Sequence, residues 1–193
     1  MPDDKRFAPL VALACHDLRT PLATVFGFAR TLARTDLEPP ADRYVEMIEA
    51  ASGQMDELLD ELALVARIES GRFEPRLVEL DSLELARSAA AELEEGRVEV
   101  SGDGATVHVP EDEMRRAVSQ LARAAGRHGG VESVGLRVDG TAFAISPVTR
   151  SSGPVLLGEE LRDLGAAAAT TLVRALGGSV ELDGDRLVVR LNP

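Results

Sequence analysis

The sequence predicts an α+β fold in which an antiparallel helical hairpin precedes a two-layer α/β sandwich. Apolar residues in the first third of the chain recur in steps of three and four, as they do on packed helices. Beyond Arg72, short alternating runs are mixed with helical patterns. Aromatic residues make up only 3% of the chain, so the core depends on Leu, Val and Ala, which favours packed helices. We therefore expect two domains, residues 1–72 and 73–193.

Two heptad stripes define the predicted hairpin. The first helix is expected over about residues 7–35, and its stripe consists of Val11, Cys15, Leu18, Leu22, Val25, Ala29 and Leu32. The second stripe consists of Val45, Ile48, Ser52, Met55, Leu59, Leu62 and Ala66, and it ends near Gly71, a predicted C-cap. One hairpin leaves half of these stripes uncovered, whereas two copies close a four-helix bundle. The sequence therefore predicts a homodimer that forms through the hairpin.

The second domain is predicted to mix helices with strands. Helices are expected at 82–93, from Pro110 to about Arg127, and in an Ala-rich stretch that ends at Gly177-Gly178. Strands are expected at 97–100, 105–109, 133–138, 141–146, 179–182 and 186–191. Asp139-Gly140 and Asp183-Gly184 predict two hairpin turns. Residues 146–158 are rich in Ser, Gly and Pro and are expected to form a loop.

Composition excludes several classes of function. The chain carries 21 Lys and Arg residues against 33 Asp and Glu residues, a net charge of -12. Binding to a phosphate backbone needs clustered positive charge, so nucleic acid is not expected as a partner. The sequence lacks a run of about 18 apolar residues, so membrane insertion is not expected. No apolar signal core follows the first residues, so secretion is not indicated. Cys15 is the single cysteine, so neither an internal disulfide nor a CxxC metal site is expected. These features predict a cytoplasmic protein with no bound metal.

The densest group of chemically useful residues is His16-Asp17-Leu18-Arg19-Thr20-Pro21-Leu22. Helical spacing places His16 at the exposed edge of the first stripe, and Thr20 lies one turn away on the same face. A neutral imidazole is a nucleophile near pH 7, and Asp17 is placed to accept or orient its second N–H. Thr20 is placed to hold a water molecule in line for hydrolysis. The pattern predicts that His16 takes a phosphoryl group.

Residues 16–21 resemble the H-box of the dimerisation and histidine-phosphotransfer (DHp) domain of bacterial sensor histidine kinases. Residues 66–72, Ala66-Arg67-Ile68-Glu69-Ser70-Gly71-Arg72, resemble the end of that domain's second helix. The resemblance implies that His16 is the phosphorylated residue, that Asp17 assists phosphotransfer as an acid or base, and that Thr20 supports phosphatase activity. The alternative is an ordinary histidine on a helix surface, which six successive matching residues disfavour.

The same resemblance implies that the partners are receiver domains of response regulators. The face that begins at His16 continues down the first helix through small residues, which let a partner backbone approach, and then through arginines. Receiver active sites hold carboxylates around a magnesium ion, so we expect the arginines to steer them. The docking candidates are Arg19, Ala23, Gly27, Arg30 and Arg34. The alternative is that the small residues are ordinary surface residues and that the arginines are solvated.

The second domain resembles the ATP-binding (CA) domain of the same kinases but departs from it where nucleotide is bound. Gln120 and Ala124 stand at two asparagine positions, and an alanine offers no oxygen to magnesium. Ile145-Ser146-Pro147-Val148-Thr149 lacks the aspartate that reads adenine and the glycines after it. Asp163-Leu164-Gly165-Ala166 replaces the phosphate-binding glycine loop, where Asp163 would repel phosphate. The comparison predicts a degenerate ATPase-like domain that binds neither ATP nor magnesium, and no other cofactor is expected.

An intact H-box beside a degenerate nucleotide site resembles the ATP-independent, kinase-like histidine phosphotransferases of bacterial phosphorelays. This resemblance implies that phosphate passes from an aspartate of one receiver to His16 and then to an aspartate of another receiver. One alternative is a divergent sensor histidine kinase, which the missing Asn, Asp and Gly residues disfavour. The other is a pseudokinase scaffold that binds receivers without carrying phosphate, which the intact Asp17 and Thr20 disfavour. Histidine phosphotransferase activity is thus favoured over ATP-dependent kinase activity.

Overall fold

The structure, a computed structural model, describes residues 4–35 and 37–192. The side chains of residues 4–7, 9–10 and 12–14 lie outside that description. So do residues 1 and 193, the outer bounds of the two predicted domains. The chain divides into two compact units, Met1–Arg72 and Phe73–Pro193. In the described ranges, none of the helices combines the length and the apolar character needed to cross a bilayer.

The first unit is an antiparallel hairpin of two helices, α1 (Asp4–Leu32) and α2 (Ala41–Glu69). Most of the side chains buried between them are small, which lets the two helices approach closely. The buried residues of the described hairpin are Cys15, Ala29, Val45, Ser52 and Ala66. All five belong to the two heptad stripes, so the periodicity of the sequence correctly predicts which helix faces meet. The helix α2 ends at Glu69 with Ser70 as its C-cap, one residue before the predicted Gly71, where φ is +67°.

The second unit alternates short strands with helices. Its strands are β1 (Val78–Asp81), β2 (Val98–Gly104), β3 (Thr106–Val109), β4 (Val134–Gly140), β5 (Ala142–Ser146), β6 (Ser179–Asp183) and β7 (Arg186–Arg190). Its helices are α3 (Ser82–Ala90), α4 (Glu111–Gly129), α5 (Gly153–Leu156) and α6 (Leu164–Ala175). The α+β fold class, with a helical hairpin before an α/β sheet domain, is confirmed.

Five strands form the main sheet in the order β2-β4-β5-β7-β6. The edge strand β2 is parallel to β4, and the other neighbouring strands are antiparallel. The strands β1 and β3 form a separate antiparallel pair. Helices α3, α4 and α6 contact strands of the main sheet, and α4 lies between α3 and α6. The unit is therefore a sheet layer covered by a helix layer.

The core of the second unit lies between these two layers. In β4, the buried residues Val134, Leu136 and Val138 alternate with more exposed ones, which is the two-residue period of a strand with one covered face. The helix α4 contributes fully buried side chains such as Met114 and Leu121. The core is mostly aliphatic, as the low aromatic content predicts, with the buried Phe143 of β5 packed among these residues.

Both predicted hairpins form, but each turn begins one residue later than predicted. Asp139 pairs with Ala142, so the first turn begins at Gly140. The last hairpin shows the same shift, with its turn beginning at Gly184 rather than at Asp183. The reason is that φ is positive at the first turn residue, +60° at Gly140 and +62° at Gly184. Glycine adopts this conformation without steric cost, and each aspartate remains paired in its strand.

Two short elements lie beyond the sequence prediction. The four residues of β1 pair with β3 at long sequence separation. The helix α5 occupies part of the stretch 146–158 that was expected to be a loop. Both are too short for a periodic pattern to identify them, because four residues complete only one helical turn or two strand repeats.

Candidate functional site

His16, Asp17 and Thr20 lie on α1 with exposed side chains. Within the described residues, no hydrogen bond or ion pair engages the His16 imidazole. The Asp17 carboxylate is likewise not hydrogen-bonded to it, so the orienting role of Asp17 stays a prediction. The imidazole, the carboxylate and the Thr20 hydroxyl are all open to an approaching molecule.

Cys15 lies next to His16 but points into the hairpin, where its side chain is buried. Burial raises the pKa of the Cys15 thiol, and the nearby Arg19 guanidinium opposes that shift to a smaller extent. The thiol is therefore a packing group, and it fixes which side of α1 faces α2.

Arg19 crosses the hairpin to α2. Its Nη2 lies 2.5 Å from Oδ1 of Asp60, and its Nε lies 3.4 Å from Oδ1 of Asp56. The Arg19 side chain remains 44% exposed, so solvent screens these interactions. The structure therefore places this docking candidate in a contact within the hairpin.

Arg30 is engaged in the same way further along α1. Its Nε lies 3.7 Å from Oε1 of Glu49, and its guanidinium lies over the ring of Phe26, 5.5 Å from the ring centre. Arg34, by contrast, is exposed, and its guanidinium has no partner among the described residues. Of the three arginines proposed to dock a receiver, two are thus shared with side chains of the hairpin itself.

The two small docking candidates form open surface. Ala23 is exposed, and a side-chain carbon added at Gly27 would have no neighbouring atom within 4 Å. A larger side chain at Gly27 therefore meets no obstacle within the described hairpin.

In the second unit, the residues at the expected nucleotide positions form contacts of their own. Asp163 caps α6, since its Oδ1 accepts a hydrogen bond from the Ala166 backbone N–H at 3.1 Å. Its Oδ2 lies 3.0 Å from Nε2 of His128 and 3.3 Å from Nη1 of Arg127. The Asp163 side chain is only 6% exposed. The Asp163 carboxylate thus accepts the hydrogen bond of a backbone N–H near the start of α6.

The segment before α6 is packed into the body of the unit. The helix α5 contacts both α4 and α6, and Val155 and Leu156 are fully buried. The hydroxyl of Thr170 on α6 donates to the carbonyl of Leu156 at 2.9 Å. On α4, the Ala124 methyl is 1% exposed. Apolar side chains and internal hydrogen bonds therefore fill this region.

Sequence reasoning missed the partners of the Arg19, Arg30 and Asp163 side chains. Glu49, Asp56 and Asp60 share the helical spacing of one face of α2, but which α1 residues they meet depends on how the two helices are aligned. For Asp163 a signal was present, because an aspartate directly before a helix is a preferred N-cap.

Comparison with known families identifies the hairpin. Residues 10–71 match the family model of the His Kinase A (phospho-acceptor) domain. This match spans the H-box and nearly all of both helices. It supports the DHp resemblance on which the sequence interpretation of the first unit rests.

Curated relatives match over the same part of the chain. Seventy residues are 36% identical to the sensor histidine kinase TrcS of Mycobacterium tuberculosis, which is 35% of this chain and 14% of that protein. A segment of 85 residues is 31% identical to the histidine protein kinase DivJ of Caulobacter vibrioides, which is 42% of this chain and 14% of that protein. The chain therefore matches only a small part of the length of these relatives.

Solved structures show the same architecture over both units. Full-length ShkA, solved in complex with AMPPNP, has a TM-score of 0.68 at 23% identity, covering 94% of this chain and 44% of that chain. The histidine kinase AdeS of Acinetobacter baumannii has a TM-score of 0.55 at 14% identity, covering 92% of this chain and 98% of that chain. These likenesses show the fold of the two units, a helical hairpin followed by an α/β sheet domain, and residues 10–71 are similar to the phospho-acceptor domain of histidine kinases.

Proposed function

We propose that this chain carries phosphate on His16 and exchanges it with aspartates of response-regulator receiver domains. The observation that carries the proposal is the exposed face of α1, where His16, Asp17 and Thr20 are open to an incoming domain. The match of residues 10–71 to the phospho-acceptor domain supports the same role for the histidine.

Transfer to His16 is a displacement at phosphorus. A neutral ring nitrogen attacks the phosphorus of an aspartyl phosphate, a P–N bond forms, and the P–O bond to the aspartate breaks. The aspartate leaves as a carboxylate, and the histidine becomes a phosphoimidazolium that still carries its other N–H. Asp17 is close enough in sequence to accept a hydrogen bond from that N–H or to take its proton. Attack by a second receiver's aspartate reverses these steps.

Thr20 has a separate role in this proposal. One helical turn from His16, its hydroxyl is placed to orient a water molecule toward the aspartyl phosphate of a docked receiver. Attack by that water releases inorganic phosphate and restores the aspartate. The same exposed face thus serves both phosphoryl transfer and hydrolysis.

The second unit is proposed to be a degenerate ATPase-like domain. The buried Ala124 methyl offers no ligand to magnesium. The Asp163 carboxylate accepts from the Ala166 N–H near the start of α6, so a phosphate would meet a negative charge there. Val155 and Leu156 are buried beside the same helix. These residues do not fit a magnesium–nucleotide complex, and no step of the proposed transfer uses ATP.

Dimerisation through the hairpin is part of the proposal. A continuous set of large apolar side chains on both helices is at least 45% exposed in the single hairpin: Leu18, Val25, Phe28, Leu32, Tyr44, Met47, Ile48, Met55 and Leu58. An exposed apolar surface of this extent marks an interface. A second copy of the hairpin, related by a twofold axis, would cover it and close a four-helix bundle.

Two parallel incubations test the proposed function. In one, the chain is incubated with radiolabelled magnesium-ATP. In the other, it is incubated with receiver domains that were phosphorylated with labelled acetyl phosphate and then separated from it. We expect label on the wild type from receivers only, and none on His16→Gln. Label from ATP would establish an ATP-dependent kinase instead. Binding of receivers without label from either source would establish a scaffold.

A further inference from the structure

Arg19, three residues after His16 on α1, contacts α2 on the exposed side of the hairpin. Two of its nitrogens reach two carboxylates, Asp60 at 2.5 Å and Asp56 at 3.4 Å. These aspartates lie one turn apart on α2. The planar guanidinium presents its donors in a fixed fork, so it can bind both carboxylates at once, which a single ammonium does poorly.

The order of residues around α1 relates this contact to His16. At about 100° per residue, Arg19 lies about 60° around the helix from His16, on the side of the buried Cys15. Going outward from α2, one therefore meets Cys15, then Arg19, then His16. A rotation of α1 that turned His16 toward or away from solvent would have to break the Arg19 contacts.

A second ion pair repeats the arrangement about three turns further along α1. Arg30 lies on the same side of the helix as Arg19, and its Nε is 3.7 Å from Oε1 of Glu49. Two arginines of α1 are thus bound to three carboxylates of α2 along the edge that adjoins the His16 face.

We propose that Arg19, through Asp56 and Asp60, is a positioning residue that sets the rotation of α1 and so the presentation of His16, rather than a residue that docks the receiver. The proposal rests on the proposed function, in which His16 exchanges phosphate with receivers. Because two carboxylates surround one guanidinium, the local charge is not positive and does not attract the carboxylates of a receiver.

The two roles predict opposite effects of a change on α2. If Arg19 docks the receiver, Asp60→Asn weakens its attachment to α2 and should lower KM, whereas Arg19→Gln should raise KM. If Arg19 positions His16, both variants weaken the contact between Arg19 and Asp60 and should act in the same direction. We expect each to lower the transfer rate constant at saturating receiver on the order of tenfold, with KM changed less than twofold.

The measurement is single-turnover transfer from a phosphorylated receiver over a range of receiver concentrations. Arg43→Gln is the matched control, because Arg43 is an exposed arginine at the start of α2, and it should match the wild type. The exchanged pair Arg19→Asp with Asp60→Arg should recover most of the lost rate. Opposite shifts in KM for Arg19→Gln and Asp60→Asn would overturn the proposal, and so would wild-type rates in both.

A second measurement separates this proposal from the proposed function. Residual dipolar couplings report the orientation of α1 against α2 without any phosphate transfer. We expect Arg19→Gln to change the couplings of α1 near His16 and Arg43→Gln to leave them unchanged. If the wild type takes no phosphate from receivers, the proposed function fails while these couplings still test the positioning. Unchanged couplings in Arg19→Gln would contradict the positioning role.

Discussion

Replacing Val25 by glutamate tests the proposed dimer. Val25 is 46% exposed in the single hairpin, within the apolar face that a second copy would cover. Burying the exposed half of a valine contributes about 1 kcal/mol, and a twofold interface contains the residue twice. Desolvating two carboxylates costs at least as much again. The total of about 4 kcal/mol corresponds to a roughly thousandfold weaker dimer.

Sedimentation equilibrium over a concentration series measures this change directly. Ala23→Glu is the matched control: it adds the same charge two residues away, on an exposed part of α1 about 160° from Val25. We expect Ala23→Glu to dimerise like the wild type and Val25→Glu to be monomeric at micromolar concentration. Equal dimer dissociation constants for the two variants would refute the assignment of this face, and a monomeric wild type would refute the dimer itself.

Three further predictions concern packing and chemistry. Because burial raises the pKa of the Cys15 thiol, less thiolate is present at pH 8.5 than in an open cysteine, and alkylation by iodoacetamide should be about tenfold slower in the folded chain than in urea. Gly102→Ala should destabilise the second unit by about 3 kcal/mol or more in urea titrations. The reason is that φ is +101° and the new carbon would lie 1.9 Å from the Val138 carbonyl oxygen. Gly184→Ala, with open space around the new carbon, should lower the free energy of unfolding by only about 1 kcal/mol. Asp163→Ala removes the α6 cap and should lower the free energy of unfolding by about 1–2 kcal/mol in the same titrations; no loss would contradict the capping role.

The architecture was predictable wherever a pattern repeats over several turns or strands. The heptad stripes identify the helix faces that meet, including Cys15 and Ser52, because a period of three and four residues recurs over both helices. The position of His16 at the edge of its stripe follows from the same period. The two hairpins were predictable from their Asp-Gly pairs, but not the exact turn residue, which depends on where φ becomes positive.

The contacts that define the site were less accessible to sequence reasoning. The pairing of Arg19 with Asp56 and Asp60 depends on the alignment of two helices along each other, and helical periodicity does not determine that alignment. The capping role of Asp163 depends on where α6 begins, and its contact with His128 joins residues that are far apart in the chain. Both contacts show that Arg19 and Asp163 bind other side chains of the same unit.

The central claim is that His16 accepts phosphate from a receiver aspartate. The most direct measurement is to incubate the chain with a labelled phosphoreceiver, to digest the labelled product at alkaline pH, and to identify the labelled peptide by mass spectrometry. We predict that the label is stable to alkali and lost in acid, as a phosphohistidine is, and that it lies in the peptide containing residues 16–20, with none on His16→Gln. Label on another residue, or undiminished label on His16→Gln, would contradict the claim.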